Sequence, residues 1–160
     1  MQMKPRTAAT VVALALAGLA LSAPTASASG TKLSQSAAAG QFSGAGITWS
    51  SSGGCTTRSN STCTSFDQIN SGTVSAVITL KQASGCAINI TGGTEVGHAS
   101  GTYSHYNGYK VDIARSSCID SYVQNSFTYI GLRGDGYPQW QAASGNLYCN
   151  EGSHWDVLIY

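Results

Sequence analysis

Apolar and polar positions alternate through much of the second half of the chain, a pattern typical of strands that bury one face. Residues 109–113 read Tyr-Lys-Val-Asp-Ile, and the segments 86–91 and 155–159 alternate in the same way. Residues 139–149 predict a hairpin, because two short strand-like runs flank Ala-Ser-Gly. The pattern therefore predicts a small antiparallel sheet, with Asp112 on the face opposite its apolar neighbours.

Apolar residues recur near a helical period from Ser65 to Ala83, which predicts the main helix. Ser65 and Gln68 have the spacing of a capping box, and Gly85 follows as the usual left-handed residue past a helix end. A weaker helical pattern covers residues 118–130. We therefore expect an α+β fold in which one main helix packs on a small antiparallel sheet.

The N-terminus has the features of a secretory signal peptide over residues 1–28: basic residues, an apolar run and an Ala-Ser-Ala cleavage signature. Residues 29–64 are rich in glycine and serine and predict a flexible lead with a short strand. Residues 65–160 then form the main domain. No other segment approaches the roughly 20 apolar residues that a membrane span needs. We expect a monomer that is secreted to the extracellular space or the cell wall and makes no membrane contact once the leader is removed.

Charge and cysteine content narrow the class of protein. The sequence after the leader holds six basic and seven acidic residues, so it lacks the basic surface of a nucleic-acid-binding protein. In an exported protein, five cysteines favour disulfides over thiolate metal ligands. Among the possible connectivities, we expect Cys55 to pair with Cys63 and Cys86 with Cys118. Cys149 is then unpaired, as a buried apolar side chain or as a redox-sensitive thiol.

The candidate metal-binding and catalytic residues come from two short segments of the chain. His105 and Asp112 have Gly108 between them, which suits a turn carrying the histidine and a strand carrying the aspartate. His154 would supply a third ligand, and three protein ligands with a fourth position open for water are the arrangement of a catalytic zinc site. Glu151 precedes His154 by three residues and would accept a proton from that water. We therefore expect a Zn²⁺ cofactor held by the three ligands, with Glu151 as the catalytic base.

These residues resemble the zinc DD-peptidases, the hedgehog/DD-peptidase metal fold that includes D-Ala-D-Ala carboxypeptidases, dipeptidases and some phage endolysins. The family pattern is Ser-x-His-x-x-Gly-x-Ala-x-Asp followed by Glu-x-x-His. Here it reads Ser-His-Tyr-Asn-Gly-Tyr-Lys-Val-Asp over residues 104–112 and Glu-Gly-Ser-His over residues 151–154. The resemblance covers about residues 65–160. It implies a secreted zinc peptidase that hydrolyses peptide bonds in peptidoglycan stem peptides, as a carboxypeptidase or an endopeptidase.

The glycine-rich loop at residues 92–101 leaves a strand and returns beside the first metal ligand, so we expect it to form the floor or the lip of a substrate cleft. Either Asp156 or a backbone carbonyl would fix the orientation of one metal-bound histidine. Glu95 stands where the family has an arginine that holds the substrate, so His98 or Arg115 would have to supply that positive charge. The candidate substrate-binding residues are His98, Ser104, Tyr106 and Trp155.

Two other functions fit the same residues. The missing arginine favours a module that keeps zinc as a structural centre and binds cell-wall fragments or proteins without hydrolysis. The cysteines alone would suit a disulfide-braced interaction or inhibitor domain that holds no metal.

Overall fold

A seven-stranded sheet forms the centre of the structure, a computed structural model that describes residues 30–160. The strands are β1 (Lys32–Leu33), β2 (Thr48–Trp49), β3 (Ile69–Asn70), β4 (Asn89–Gly92), β5 (Lys110–Ala114), β6 (Thr128–Leu132), β7 (Pro138–Gln141), β8 (Leu147–Asn150) and β9 (His154–Leu158). The order in the central sheet is β2-β4-β5-β9-β8-β7-β6, and β1 pairs with β3 in a separate ladder. The predicted signal peptide at residues 1–28 lies outside the described residues.

Three helices contribute to one hydrophobic core with this sheet. They are α1 (Gln35–Gly44), α2 (Ser71–Ser84) and α3 (Ser117–Ser126). Phe42 of α1, Val77 of α2 and Val123 of α3 are buried in the same cluster as Val111 of β5 and Trp155 of β9. Burial of each such side chain contributes about 1.5–3 kcal/mol, so the helices are held mainly by this shared contact.

The period of two along a strand separates the core from the opposite face of the sheet. Val111 and Ile113 of β5 are fully buried in the core, whereas Asp112 between them lines a cavity on the other side. Asp156 of β9 is the register partner of Asp112, and both neighbours of Asp156 are likewise buried in the core. The predicted orientation of Asp112 is confirmed, and two carboxylates meet on the face that the helices do not cover.

The predicted α+β class is confirmed, but the predicted sheet is wrong in size and type. It has seven strands and is mixed, because β2 and β4 run parallel. Residues 30–160 contain three α-helices, where a main helix and a weaker one were predicted. The strand at residues 109–113, the hairpin at residues 139–149 and the final strand are found as β5, β7 with β8, and β9. The weaker helix is α3, which ends at Ser126 because the chain then enters β6.

In the glycine- and serine-rich segment, residues 30–64 include the predicted short strand as β2, but they do not form the predicted flexible lead. The segment contains α1, which is capped by the side chain of Ser34. Ala38 and Phe42 are one helical turn apart and are fully buried, and the Phe42 ring packs against Phe66 with centroids 4.9 Å apart. The segment therefore belongs to the same core as the residues that follow it.

The main helix begins at Ser71, later than the predicted Ser65. Ser65 is fully buried, and its backbone N–H donates to the Glu95 carboxylate at 2.8 Å. Gln68 has a φ of 63°, outside the helical region, so the predicted capping box does not form. The helix ends as predicted, with Gly85 in the left-handed conformation at a φ of 67°.

Both predicted disulfides are present, one joining Cys55 to Cys63 and the other joining Cys86 to Cys118. Two disulfides are consistent with an extracellular protein, because such bonds persist in oxidising compartments. The second disulfide ties the segment before β4 to the first turn of α3. Among residues 30–160, no helix is both long enough and apolar enough to cross a membrane.

Candidate metal centre

Two adjacent strands carry both aspartates and one histidine of the candidate site. Asp112 and Asp156 are paired across β5 and β9. His154 begins β9 two residues before Asp156, so alternation directs both side chains to the same face. Asp112 and Asp156 are only 7% and 6% exposed. Buried carboxylates of this kind require a partner of positive charge.

His105 lies on a tight turn immediately before β5, as predicted. The Gly108 N–H donates to the His105 carbonyl at 2.7 Å, and the Tyr109 N–H donates to the Ser104 carbonyl at 3.1 Å. Gly108 has a φ of +78°, and a Cβ at this position would lie 2.5 Å from the Gln68 carbonyl oxygen. The glycine in the motif is therefore required by the turn and by the close approach of the chain that leads into α2.

The rings of His105 and His154 approach the same carboxylate oxygen. Nε2 of His105 lies 3.3 Å from Asp112 Oδ1, and Nε2 of His154 lies 3.5 Å from that atom. The oxygen is buried and has no hydrogen-bond partner among residues 30–160. Nδ1 of His105 donates to the Gly93 carbonyl at 2.9 Å, and Nδ1 of His154 lies 2.9 Å from the Ser153 hydroxyl. These contacts hold the far side of each ring, so both Nε2 atoms face Asp112.

His98 brings a third imidazole to the centre. His98, His105 and Asp112 each offer a donor atom, and these atoms all lie within 4.8 Å of one another, so the group could hold a metal ion. Nδ1 of His98 lies 3.7 Å from Asp112 Oδ2. However, the rings of His98 and His105 are stacked, with centroids 3.8 Å apart and planes inclined by 15°. An imidazole lone pair lies in the ring plane, so one of the two rings would have to turn before both could bind one ion.

Glu95 is buried, and hydrogen-bond donors surround its carboxylate. It accepts from the Ser65 N–H at 2.8 Å and the Gly93 N–H at 3.0 Å, and Oε1 lies 2.9 Å from His98 Nε2. Burial alone raises the pKa of Glu95, but the hydrogen bonds from His98 and the backbone outweigh it and hold the pKa below its ordinary value. Glu95 therefore braces the glycine-rich loop and orients His98.

The electrostatics of the centre favour positive charge. Burial lowers the pKa of His105, but its contacts with Asp112 and Asp156 outweigh burial and raise the pKa to about 9. Burial raises the pKa of Asp156, yet His105 and Lys110 together hold it well below its usual range. Nζ of Lys110 donates to Asp156 Oδ2 at 2.6 Å. The same carboxylates would stabilise a divalent cation.

Glu151 lies in the turn before β9, as predicted, with Oε2 3.2 Å from His154 Nε2. Its other oxygen accepts a hydrogen bond from Arg133. Arg133 also donates to Asp156 Oδ2 at 2.7 Å and to Asp135. Arg133 is not among the site residues predicted from the sequence. No local pattern marks it, because its contacts with Glu151 and Asp156 depend on tertiary structure.

A cavity of about 580 Å³ opens over these residues. The glycine-rich loop contributes to its rim, as predicted. Its lining combines titratable side chains with small loop residues: Gly97, His98, Ala99, His105, Lys110, Asp112, Arg133, Asp135, Glu151, His154 and Asp156.

Three predicted substrate-binding residues do not line this cavity. Trp155 is fully buried on the side of the helices, where Nε1 donates to Asp120 Oδ1 at 2.8 Å, so it is not a cleft wall. Ser104 is buried and its hydroxyl accepts a hydrogen bond within its own turn. Tyr106 is exposed, and the Arg58 guanidinium covers its ring at 3.7 Å from the centroid. Ser104 and Tyr106 line a smaller depression beside His98.

The contacts of Asp156 and Arg115 differ from the roles predicted for these two residues. Asp156 does not hold the far side of a histidine, because it contacts Nε2 of His105 at 3.6 Å while the Gly93 carbonyl holds Nδ1. Arg115 does not line the cavity. It binds Asp120 and donates to the Gly152 carbonyl at 3.0 Å, and it thereby supports the turn that follows Glu151.

Cys149 is the unpaired cysteine, and it is buried on β8 with only 1% of its surface exposed. Burial raises the pKa of its thiol to about 11. A protonated, inaccessible thiol is a poor nucleophile, so the structure favours a buried apolar side chain over a redox-sensitive thiol.

No family model, no curated protein and no solved structure matches this chain.

Proposed function

We propose that this chain is a secreted zinc peptidase of the hedgehog/DD-peptidase type, in which His105, Asp112 and His154 hold the metal. The buried, unpartnered Oδ1 of Asp112 carries the proposal, since two imidazole nitrogens lie 3.3 and 3.5 Å from it. Tetrahedral ligands with bonds of about 2.0–2.1 Å are about 3.3–3.4 Å apart. Each imidazole nitrogen therefore lies at the distance from Asp112 Oδ1 that is expected of two ligands on one ion. Among residues 30–160, donor atoms that all lie within 4.8 Å of one another are found for His98, His105 and Asp112, so His154 would have to move toward His105 when the metal binds.

The donor set suits zinc better than the common oxygen-seeking cations. Calcium and magnesium take oxygen ligands, whereas two imidazoles and one carboxylate match the nitrogen and oxygen ligands of catalytic zinc. We assign His154 rather than His98 as the third ligand, because the His98 ring is stacked on His105 and one of these two rings would have to turn before both could bind one ion. Glu95 anchors His98 in that stacked position.

Glu151 is the general base in this proposal. Bound zinc supplies Lewis acidity toward a water molecule and toward the substrate carbonyl. Glu151 Oε2, beside His154, accepts a proton from that water and later gives it to the leaving amine. Arg133 holds the other oxygen of Glu151 and so fixes which one faces the substrate. The Gly93 carbonyl keeps the Nε2 lone pair of His105 directed at the metal position.

Peptide bonds in peptidoglycan stem peptides are the proposed substrate. The resemblance in residues 104–112 and 151–154 supports this choice, together with the predicted signal peptide. A cavity of about 580 Å³ is also large enough for several atoms on each side of a scissile bond.

A zinc-containing module that binds cell-wall fragments or proteins without cleaving them is the second candidate. Glu95 favours this second candidate. It stands where the family has a substrate-holding arginine, and its buried carboxylate braces a loop instead. Metal-replete protein that binds peptidoglycan but releases no product would select this function.

Hydrolysis of purified peptidoglycan and of synthetic stem peptides, followed by mass spectrometry, tests the proposal. We expect a chelator to abolish product formation and added zinc to restore it. Glu151→Gln should lower turnover by about a hundredfold or more while the zinc content stays equal to that of the wild type. Undiminished turnover by Glu151→Gln would rule out Glu151 as the base.

A further inference from the structure

Three depressions of the surface meet at His98, whose side chain is 24% exposed. One is the cavity over the candidate metal centre, and one is the small depression beside Tyr106. The third is a groove of about 470 Å³ that runs from His98 and Glu95 toward the disulfide of Cys63. The cleft therefore does not end at the candidate metal ligands but continues past them.

The groove is built from uncharged hydrogen-bonding groups. Its walls are formed by Ser50 to Ser52 on one side and by Ser61 to Thr64 on the other. The Cys55–Cys63 disulfide closes the loop that carries the second wall. Apart from His98, Glu95 is the one titratable side chain among residues 30–160 that lines it, and backbone N–H groups already bind its carboxylate. Such a surface suits the amide groups of a polypeptide rather than a charged terminus.

The lysine and the arginine that line the central cavity already form ion pairs with carboxylates. Lys110 is bound to Asp156, and Arg133 is bound to Asp135, Glu151 and Asp156. Four carboxylates thus line the cavity against two basic side chains, so a divalent ion would bring the formal charge only to about zero. A substrate's terminal carboxylate is normally bound by charge-assisted hydrogen bonds from a cation that is free to make them. Of the three histidines in the lining, His98 is paired with Glu95, and His105 and His154 are the proposed metal ligands, so none of the cations among residues 30–160 that line this cavity is free to bind a terminal carboxylate.

We propose that the cleft takes an internal stretch of a peptide, whose chain continues past His98 into the groove, and that the enzyme is an endopeptidase. This inference rests on the proposed function. Water adds across an internal C–N bond, giving a new carboxylate on one fragment and a new amine on the other. The enzyme does not trim a C-terminal residue that bears a free carboxylate.

Matched synthetic stem peptides test this directly with the zinc-loaded protein. One peptide ends in a free carboxylate one residue after the scissile bond, a second carries an amide there, and a third continues for three more residues. We expect kcat/KM to be about tenfold or more higher for the amide and the extended peptide than for the free acid. A free acid that is cleaved as well or better overturns the inference and leaves the proposed function standing. Cleavage of none of the three overturns both.

A variant that blocks the groove provides a second test of whether the substrate chain occupies the groove. Ser52 is exposed, lines the groove and donates no side-chain hydrogen bond within residues 30–160, so Ser52→Trp fills space without breaking a contact. Ser121→Trp, exposed on α3 on the other side of the sheet, is the matched control. We expect Ser52→Trp to lower kcat/KM for the extended peptide about fivefold or more, with zinc content unchanged, and Ser121→Trp to have no effect. Equal activity of both variants on the extended peptide would overturn the use of the groove.

Discussion

Replacing Glu95 with glutamine tests whether this residue braces the loop under the candidate site. Glu95 is 3% exposed, and its carboxylate is bound by the Ser65 N–H, the Gly93 N–H and His98. Glutamine keeps the shape but is uncharged and has a single acceptor oxygen, so the two backbone N–H groups and His98 can no longer all donate to a carboxylate. Hydrogen bonds to charged groups contribute about 1.5–3 kcal/mol, and an unpaired buried donor costs about 1–3 kcal/mol. We expect a loss of about 2–4 kcal/mol in the free energy of unfolding.

The assay is urea unfolding followed by tryptophan fluorescence, with metal removed so that zinc affinity does not contribute. Glu151→Gln is the matched control, because Glu151 is the only other glutamate and its side chain is 24% exposed. Its effect should stay within about 1 kcal/mol. A change of less than about 0.5 kcal/mol for Glu95→Gln would refute the bracing role. If hydrolysis were lost in that case, Glu95 would have to act on the substrate.

The pH dependence gives the same experiment a second readout. Hydrogen bonds hold the pKa of Glu95 below its ordinary value in the folded protein. Such a group stabilises the fold above its unfolded pKa of about 4.3, and this contribution is lost as the pH falls through the folded pKa. The stability difference between the wild type and Glu95→Gln should therefore be full at pH 7 and shrink below about pH 4. A difference that is independent of pH would show that charge is not its source.

Three further predictions follow from single contacts. Cys149 should resist alkylation at pH 8 in the native protein and react fully in denaturant, because burial raises the pKa of its thiol to about 11; rapid native labelling by mass spectrometry would contradict its burial. Arg133→Lys should lower kcat by about tenfold to a hundredfold at unchanged zinc content, since Glu151 loses its orienting partner; unchanged kcat would exclude that role. Trp155→Phe should lower the free energy of unfolding by about 2–3 kcal/mol with KM unchanged, because it leaves a cavity and removes the hydrogen bond to Asp120. A change in KM without a loss of stability would instead indicate that Trp155 is a wall of the cleft.

Alternation along the strands was enough to predict which face Asp112 occupies. The sequence 109–113 can bury its apolar side chains on one face only if Asp112 lies on the other. Local signals also predicted the turn at Gly108, the hairpin at residues 139–149 and the helix end at Gly85. In each case one or two residues determine the backbone geometry, so no distant contact is needed to read it.

The missed features depend on contacts between distant segments. Helix α1 has few apolar residues, and only Ala38 and Phe42 are buried, so no periodic pattern reveals it. The later start of α2 follows from Ser65, whose backbone is bound by Glu95 on another loop. Arg133 follows β6, which is three positions from β9 in the sheet, so its contacts with Glu151 and Asp156 depend on tertiary structure that strand propensity does not encode.

Anomalous diffraction at the zinc absorption edge, from crystals of the zinc-loaded protein, is the most direct measurement of the proposed centre. We expect one strong peak within about 2.0–2.2 Å of His105 Nε2, Asp112 Oδ1 and His154 Nε2, with the ring of His98 still stacked on His105. A zinc ion bound by His98 in place of His154 would contradict the proposed centre. Crystals of folded protein with no peak between His105, Asp112 and His154 would also contradict it.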